Sequence, residues 1–277
     1  MRFIQRFLNC GVSMIARHLL LALQARVLCL GMAVATVTIQ TMHSAETLSQ
    51  FSTIDALMQG IYDGPATFGD VKRYGDFGLG TVNHLDGEML ALDGIFYQIT
   101  GDGRVHVIPD KAKTSFATVV FFQPEHRAAL PKISSFRGLQ SWLDRHLGSR
   151  NYFWSVRIHG TFSMVRTRSI SSQKPPYRPL AEVAKSEAVF ERRNVTGTLV
   201  GFRSPAYIRG INVPGYHFHF LSDDKTMGGH VMACSLVQGR AEWACHRTFQ
   251  MKLPDDPAFR RADFSEHDAE ALKSAEQ

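Results

Sequence analysis

The chain is dominated by short apolar runs separated by turn-forming residues, a pattern that limits it to sheet-rich folds. Asp93-Gly94 separates the apolar segments 88–92 and 95–99. An Asp-Gly pair between two apolar runs is the strongest local signal for a β-hairpin. Strand-like runs of this kind fall into two blocks, 70–122 and 153–253. The residues therefore predict a mixed, sheet-rich α/β fold with much antiparallel sheet.

Helical patterns accompany these two blocks. Ser52 begins a capping box for a helix that we expect to end near Gly64. A second amphipathic pattern predicts a helix over about 135–147. A length of 277 residues suits one large domain or two small ones. We predict an N-terminal α/β domain over 46–150 and a β-rich, metal-binding C-terminal domain with a charged tail over 151–277.

The first 45 residues have a composition of their own. They contain four arginines, no acidic residue and a short apolar run over 27–35, followed by Ser44-Ala45. A positive segment, a short apolar segment and a small exit residue are typical of a secretory signal. The apolar run is shorter than the roughly 20 residues that a membrane span needs. We predict cleavage near Ala45 and export to the periplasm or beyond.

Two alternatives to cleavage remain open. An uncleaved segment would attach the protein to a membrane through its N-terminus alone. A misassigned start, with Met14 as the true first residue, would leave a cytoplasmic protein.

The net charge of +6 does not indicate a nucleic-acid partner. Four of the 31 basic residues and none of the 25 acidic ones lie in the first 45 residues, so the remainder is nearly neutral. It also has no run of basic residues that could follow a phosphate backbone. The composition therefore argues against nucleic-acid binding.

The sharpest local motif is a pair of alternating histidines followed by a third. His217 and His219 flank Phe218, and Gly228-Gly229 precedes His230. Alternation along a strand places His217 and His219 on one face, about 7 Å apart. The glycines let the chain turn back and bring His230 beside them. Three converging imidazoles predict a catalytic metal site; Zn²⁺ suits them best, and Fe, Ni or Cu are alternatives.

Two further positions have side chains suited to catalysis. Asp86-Gly87 forms a predicted turn that places Glu88 at a strand start, where its carboxylate can project into a cleft. Arg168 ends a strand before a proline-bearing loop, and arginine binds carboxylates through two parallel hydrogen bonds. Taken alone, each residue is more simply explained as a solvated surface group.

Cys234 and Cys245 are the cysteines that remain after cleavage near Ala45. We place them on two neighbouring strands, where they can face each other across a hairpin and form a disulfide in an oxidising compartment. Two separate buried thiols are the equal alternative. Their spacing excludes a CxxC metal or redox motif.

Four patches together resemble the alpha-acetolactate decarboxylase family. They occur in the family's order, over roughly residues 50–260. The patches are Gly80-Thr81 with Leu85-Asp86-Gly87-Glu88, Arg166-Thr167-Arg168-Ser169 with Gln173 and Pro176-Tyr177, Gly197-Thr198-Leu199-Val200-Gly201-Phe202, and Gly215 to Phe220 running on to Gly228-Gly229-His230.

The resemblance implies a two-domain α/β fold, a homodimer and a zinc enzyme. The implied reaction is decarboxylation of 2-acetolactate to acetoin and CO₂, with the metal stabilising an enediolate. His217, His219 and His230 match the family's metal ligands. Export of such an enzyme departs from the cytoplasmic location expected of a metabolic decarboxylase.

The resemblance also assigns roles to residues around the metal. Glu88 and Arg168 match the family's active-site glutamate and arginine, and Thr81 matches a polar residue that lines the substrate pocket. Glu276 is nearest in position to a second catalytic glutamate close to the C-terminus. The alternatives for that position are Glu266 and Glu270.

The proton donor stays open among Glu88, the C-terminal glutamate and a water at the metal. Two other classes of protein share the histidine motif. A cupin-like metal enzyme also carries two alternating histidines, but it requires a glutamate shortly after them and a fourth histidine. An exported metal- or ligand-binding protein would close the metal site with a fourth protein ligand and would not need Arg168.

Overall fold

The computed structural model describes residues 46–265 and 267–276, without the side chains of Ser274 and Glu276. The predicted signal peptide over 1–45 lies outside the described residues. The described residues form one compact unit. None of the described helices has the length and hydropathy that a membrane-spanning helix requires.

Twelve strands dominate the described chain, as the apolar runs predict. They are β1 (Thr47–Phe51), β2 (Phe77–Thr81), β3 (Glu88–Leu92), β4 (Ile95–Ile99), β5 (Val105–Val107), β6 (Phe116–Val120), β7 (His126–Leu130), β8 (Phe153–Ser169), β9 (Ala188–Ser204), β10 (Gly215–Ser222), β11 (Gly228–His246) and β12 (Thr248–Lys252).

Six α-helices connect and cover these strands. They are α1 (Ile54–Met58), α2 (Phe68–Val71), α3 (Phe136–His146), α4 (Leu180–Val183), α5 (Pro257–Arg261) and α6 (Ala269–Glu276). The mixed, sheet-rich α/β class predicted from the sequence is confirmed.

The strands form two sheets that share an apolar interface. The first sheet has the order β12-β1-β6-β2-β3-β4-β5, in which only the β1–β12 pair is parallel. The second has the antiparallel order β10-β9-β8-β11-β7. Leu79 and Leu90 of the first sheet pack with Val200 and Leu221 of the second. This packing sets β3 of the first sheet beside β10 of the second.

The chain passes between the sheets more than once. Strand β7 precedes residue 150 but pairs with β11 in the second sheet. Strand β12 is near the C-terminus but pairs with β1 in the first sheet. The division into domains at residue 150 stays a prediction.

Strand β11 differs from the expected hairpin. The turn-like residues around Gly239 predict a break, but β11 runs without interruption from Gly228 to His246. Gly239 lies opposite Gly160 of β8, and a Cβ on Gly160 would lie 2.4 Å from the carbonyl oxygen of Gln238. These glycines therefore allow the backbones of β8 and β11 to approach closely. In the sequence, glycines that serve this purpose look the same as glycines of a turn.

The continuous strand also corrects the cysteine prediction. Cys234 and Cys245 lie on the same strand and are both free and buried. Eleven residues of extended strand separate them by roughly 36 Å, whereas a disulfide needs Cα atoms within about 7 Å. The prediction that they face each other on neighbouring strands is wrong.

The first helix is shorter than predicted, and the helix expected over 135–147 is confirmed. Thr53, not Ser52, caps α1, and its hydroxyl accepts the backbone N–H of Ala56 at 3.2 Å. Gly60 has a φ of +83° and turns the chain away, so the helix does not reach Gly64. Ser135 caps α3 by accepting the N–H of Gly138 at 3.1 Å.

Candidate functional site

Three histidines converge where β10 and β11 begin to pair. His217 and His219 alternate along β10, and His219 lies directly opposite His230 in the β10–β11 register. One ligand atom from each imidazole lies within 4.8 Å of the other two. Strand alternation places His217 and His219 together, and the turn into β11 adds His230, as the spacing predicts. The cluster can hold a metal ion.

Gly228 and Gly229 lie inside the β10–β11 pairing, opposite Leu221 and Phe220, so the prediction that they form the turn is wrong. Gly229 has a φ of +122°, which side-chain-bearing residues rarely adopt, and a Cβ there would lie 2.4 Å from the carbonyl oxygen of Arg168. The bare backbone lets β11 lie against β8, where His230 pairs with Arg168. Gly229 therefore sets the positions of a histidine and an arginine together.

Burial keeps the imidazoles of His217 and His219 neutral. Burial lowers the pKa of His217 well below its ordinary value, and neighbouring His219 and Arg168 act in the same direction. Burial also lowers the pKa of His219, to about 3, against the opposing hydrogen bond to Met89. A neutral imidazole keeps a lone pair for a metal, so little proton release opposes binding near neutral pH.

Hydrogen bonding orients His219 within the cluster. The Nδ1–H of His219 donates to the carbonyl oxygen of Met89 on β3 at 2.8 Å, which leaves Nε2 with the lone pair. That Nε2 lies 3.4 Å from a carboxylate oxygen of Glu88. The first sheet thus fixes the imidazole orientation of a histidine that belongs to the second.

The spacing of the other two imidazoles also fits a common ion. Nε2 of His217 lies 3.1 Å from Nδ1 of His230. Two nitrogens bound at about 2.0–2.1 Å to one tetrahedral Zn²⁺ are about 3.3 Å apart. The donor set and its spacing therefore suit a tetrahedral metal with an open coordination position.

A small cavity beside the histidines brings the other predicted residues together. Its lining includes Thr81, Glu88 and Arg168 as well as His217 and His219, and its volume is about 30 Å³. Thr81 lies opposite Glu88 in the β2–β3 pair. The Oγ1 of Thr81 donates a 2.7 Å hydrogen bond to the carbonyl oxygen of Gly87, which ties the turn before Glu88 to β2.

Arg168 is buried and held from two sides. Its Nη1 donates to a carboxylate oxygen of Glu187 at 2.6 Å. Its Nη2 donates to the carbonyl oxygen of Ala275 on α6. The interpretation of Arg168 as a surface cation is therefore wrong, because its side chain lies inside the protein.

Glu187 is a site residue that our sequence reasoning missed. It directly precedes β9, whose first residue, Ala188, pairs with Ser169 of β8. This register brings Glu187 beside Arg168. No spacing motif marks the glutamate, so only the β8–β9 register reveals it.

The C-terminal helix closes the cavity, but it does not identify the second glutamate. Leu272 and Ala275 of α6 are buried against an apolar cluster around the site. Glu276 is the last residue of α6, and its side chain lies outside the described part of the structure. Glu266 is also outside it, and Glu270 is exposed. The role of Glu276 stays a prediction.

The chain is similar to known proteins of one family. Residues 48–266 match the family model described as Alpha-acetolactate decarboxylase. The chain is 43% identical over 235 residues to an alpha-acetolactate decarboxylase of Methanosarcina mazei, covering 85% of this chain and 82% of the relative. It is also 43% identical over 234 residues to one of Methylococcus capsulatus, covering 84% of this chain and 90% of the relative.

The fold has a close counterpart among solved structures. It is similar to alpha-acetolactate decarboxylase from Bacillus subtilis strain 168, with a TM-score of 0.81 and 34% sequence identity. The similarity covers 83% of this chain and 99% of the solved one. The likeness therefore extends over most of the fold.

Proposed function

Because this chain belongs to the alpha-acetolactate decarboxylase family, we propose that it decarboxylates 2-acetolactate to acetoin and CO₂ at its histidine cluster. The observation that carries the proposal is the convergence of three buried imidazoles beside Glu88 and Arg168. The family makes the protein an enzyme, a carboxy-lyase. Its matches do not favour a cupin-like enzyme or a metal-binding protein without activity.

The donor set supports a metal cofactor, and we propose Zn²⁺. The ligands would be His217, His219 and His230, which are buried and near enough to share one ion. When bound, Zn²⁺ supplies Lewis acidity that stabilises negative charge on the hydroxyl and keto oxygens of the substrate. Three protein ligands leave a position open, as catalytic zinc sites require.

Arg168 is proposed to bind the substrate carboxylate. Its guanidinium is held by Glu187 and by the Ala275 carbonyl, so its orientation is set before substrate arrives. A fixed guanidinium can hold the breaking carbon–carbon bond perpendicular to the keto plane. The electron pair of that bond then enters the carbonyl π system as CO₂ leaves, which gives an enediolate.

Acidic side chains are proposed to return a proton to carbon. Acetoin contains one proton more than the enediolate that CO₂ loss leaves. Delivery of that proton to one face of the carbon sets the configuration of acetoin. Glu88 lines the cavity next to His219 and is positioned to supply that proton. Glu276 is the second candidate, and Thr81 is proposed to line the substrate pocket.

Two further properties belong to the same proposal. We propose a homodimer, on the resemblance to the family. We also propose export after cleavage near Ala45, on the acid-free, arginine-bearing segment over 1–45. Light scattering of the purified protein tests the homodimer. Mass spectrometry of fractionated cells tests export.

Metal analysis together with an acetoin colour assay tests the function. The purified protein should contain about one Zn²⁺ per chain and form acetoin from 2-acetolactate. Single alanine substitutions of His217, His219 and His230 should each remove most metal and nearly all activity, since two imidazoles form a poor chelate. His106→Ala, at an exposed histidine of β5, is the matched control and should change neither.

Zinc that remains stoichiometric in a protein lacking all three histidines would place the metal elsewhere. A metal-loaded wild-type chain that forms no acetoin would contradict the reaction itself.

A further inference from the structure

Strands β10 and β11 pair over only a short distance and then separate. Their pairing joins His219–Leu221 to Gly228–His230. Beyond it, β10 continues along β9 and β11 continues along β8. The gap between Gly215–Phe218 and Val231–Ala233 is called the β10–β11 slit below. A cavity of about 750 Å³ lies against both of its edges.

The slit leads to the histidine cluster. His217 and His230 line its cavity, and His217 also lines the small cavity that contains Arg168. The small cavity, at about 30 Å³, has room for about one water molecule. The slit cavity lies within the volume range of small-molecule sites. A ligand too large for the inner cavity therefore has room on the slit side of His217.

The mouth of the slit is positively charged. Arg137, in the first turn of α3, and Lys273, on α6, line it. Neither cation has an ion pair with an acidic group of the described residues, and no acidic side chain among those residues lines the slit cavity. Asp144, farther along α3, is paired with Arg150 and Arg203. Among the residues that the structure describes, the two cations therefore face no acidic partner in the slit cavity.

We propose that the β10–β11 slit is the entrance through which the anionic substrate reaches the histidines, with Arg137 and Lys273 attracting its carboxylate. This inference rests on the proposed function, which supplies a small 2-hydroxy-3-oxo monocarboxylate as substrate. A cleft lined by one sign of charge raises the local concentration and association rate of the opposite ion. Both products, acetoin and CO₂, are neutral, so the same charges do not retain them.

Removal of the two cations tests the entrance by kinetics. Arg137→Gln and Lys273→Gln should each raise KM about threefold, and the double variant about tenfold, at low salt. The loss should appear in KM rather than in kcat. Added salt should raise the wild-type KM, because it screens the attraction, but should have little effect on the double variant. Arg145→Gln, at an exposed position in the last turn of α3, is the matched control and should behave as wild type.

A thiol placed in the slit tests it without relying on decarboxylation. Met232 lines the slit and is partly exposed. For each cysteine variant, the measured quantity is the ratio of two labelling rates: that with the anionic sulfonatoethyl methanethiosulfonate over that with its cationic trimethylammonioethyl analogue. This ratio should be several-fold higher for Met232→Cys than for Val237→Cys on the same strand. Replacing Arg137 and Lys273 by glutamine should abolish this preference. The unsubstituted chain gives the background labelling.

The results distinguish a failure of the proposed entrance from a failure of the proposed function. Equal labelling ratios at the two cysteines, or a wild-type KM in the double variant, would overturn the entrance even in an active enzyme. A charge preference at Met232→Cys in a protein that forms no acetoin would overturn the proposed function and the substrate assigned to the slit.

Discussion

Arg168 illustrates how burial changes the role of a single side chain. In sequence it stands between a strand and a loop, but in the structure only 5% of it is exposed. A buried guanidinium is costly unless its charge and its N–H groups are matched. Glu187 supplies the charge and the Ala275 carbonyl a further acceptor. The result is a fixed cation beside the histidine cluster.

The first prediction concerns the geometry of this cation. Arg168→Lys should retain the fold and the metal but lower kcat/KM about a hundredfold, roughly 2.7 kcal/mol, because an ammonium cannot make the planar two-point contact with a carboxylate. Steady-state kinetics and metal analysis measure both effects. Arg166→Lys, at an exposed position on the same strand, is the control. Unchanged kinetics for Arg168→Lys would mean that another group binds the carboxylate.

The second prediction concerns Glu187 as a positioning residue. Glu187→Gln keeps a hydrogen-bond acceptor but removes the charge that opposes Arg168, so we expect kcat/KM to fall about tenfold with metal content unchanged. Glu191→Gln, at an exposed position nearby on β9, should have no effect. A purely structural role for Glu187 would lower the thermal midpoint and leave kcat/KM of the folded protein intact.

The C-terminal helix α6 depends on the rest of the protein for its stability. An isolated helix shorter than about 12 residues is marginal in water, and α6 has 8 residues. Leu272 and Ala275 bury its inner face against residues of α1 and α4, among them Leu57 and Leu180. The helix that closes the inner cavity is therefore held mainly by a few apolar contacts.

The third prediction follows from this weak attachment. Leu272→Ala should remove about 2–3 kcal/mol of packing and detach α6 while the sheets stay folded. Limited proteolysis should then release the C-terminus faster, and kcat/KM should fall. Leu253→Ala, at an exposed leucine, serves as the control. Full activity with α6 detached would show that the helix takes no part in the site.

All the strand pairings that the structure describes lie downstream of residue 46. Strand β1 starts at Thr47 and lies between β6 and β12 in the first sheet. A chain that begins at Glu46 retains every strand pairing that the structure shows. A chain that begins at Ser52 loses β1 and leaves an interior position of the sheet empty.

The fourth prediction tests this boundary. Removal of residues 1–45 should leave the thermal midpoint and kcat/KM unchanged, whereas removal of residues 1–51 should prevent folding. Circular dichroism and the acetoin assay measure the outcome. Loss of activity in the shorter truncation would show that the segment contributes to the enzyme itself.

Mass spectrometry of the native protein tests export separately, since a soluble cytoplasmic form that still contains Cys29 would contradict cleavage near Ala45.

Local patterns were sufficient to predict the histidine cluster. Alternation along β10 places His217 and His219 on one face whatever surrounds the strand, and the short connection to β11 brings His230 opposite His219. Ser135 likewise marks the start of α3 through a hydrogen bond within one turn. These features depend on backbone geometry over a few residues, which the sequence alone determines.

Only the tertiary structure decided which distant residues complete the site. The contact of Arg168 with Glu187 depends on the β8–β9 register, and its contact with Ala275 depends on where α6 docks. The continuity of β11 through Gly239 depends on close approach to β8. Strand register and helix docking depend on the packing of many residues that are far apart in the chain. A pattern over a few neighbouring residues therefore does not determine them.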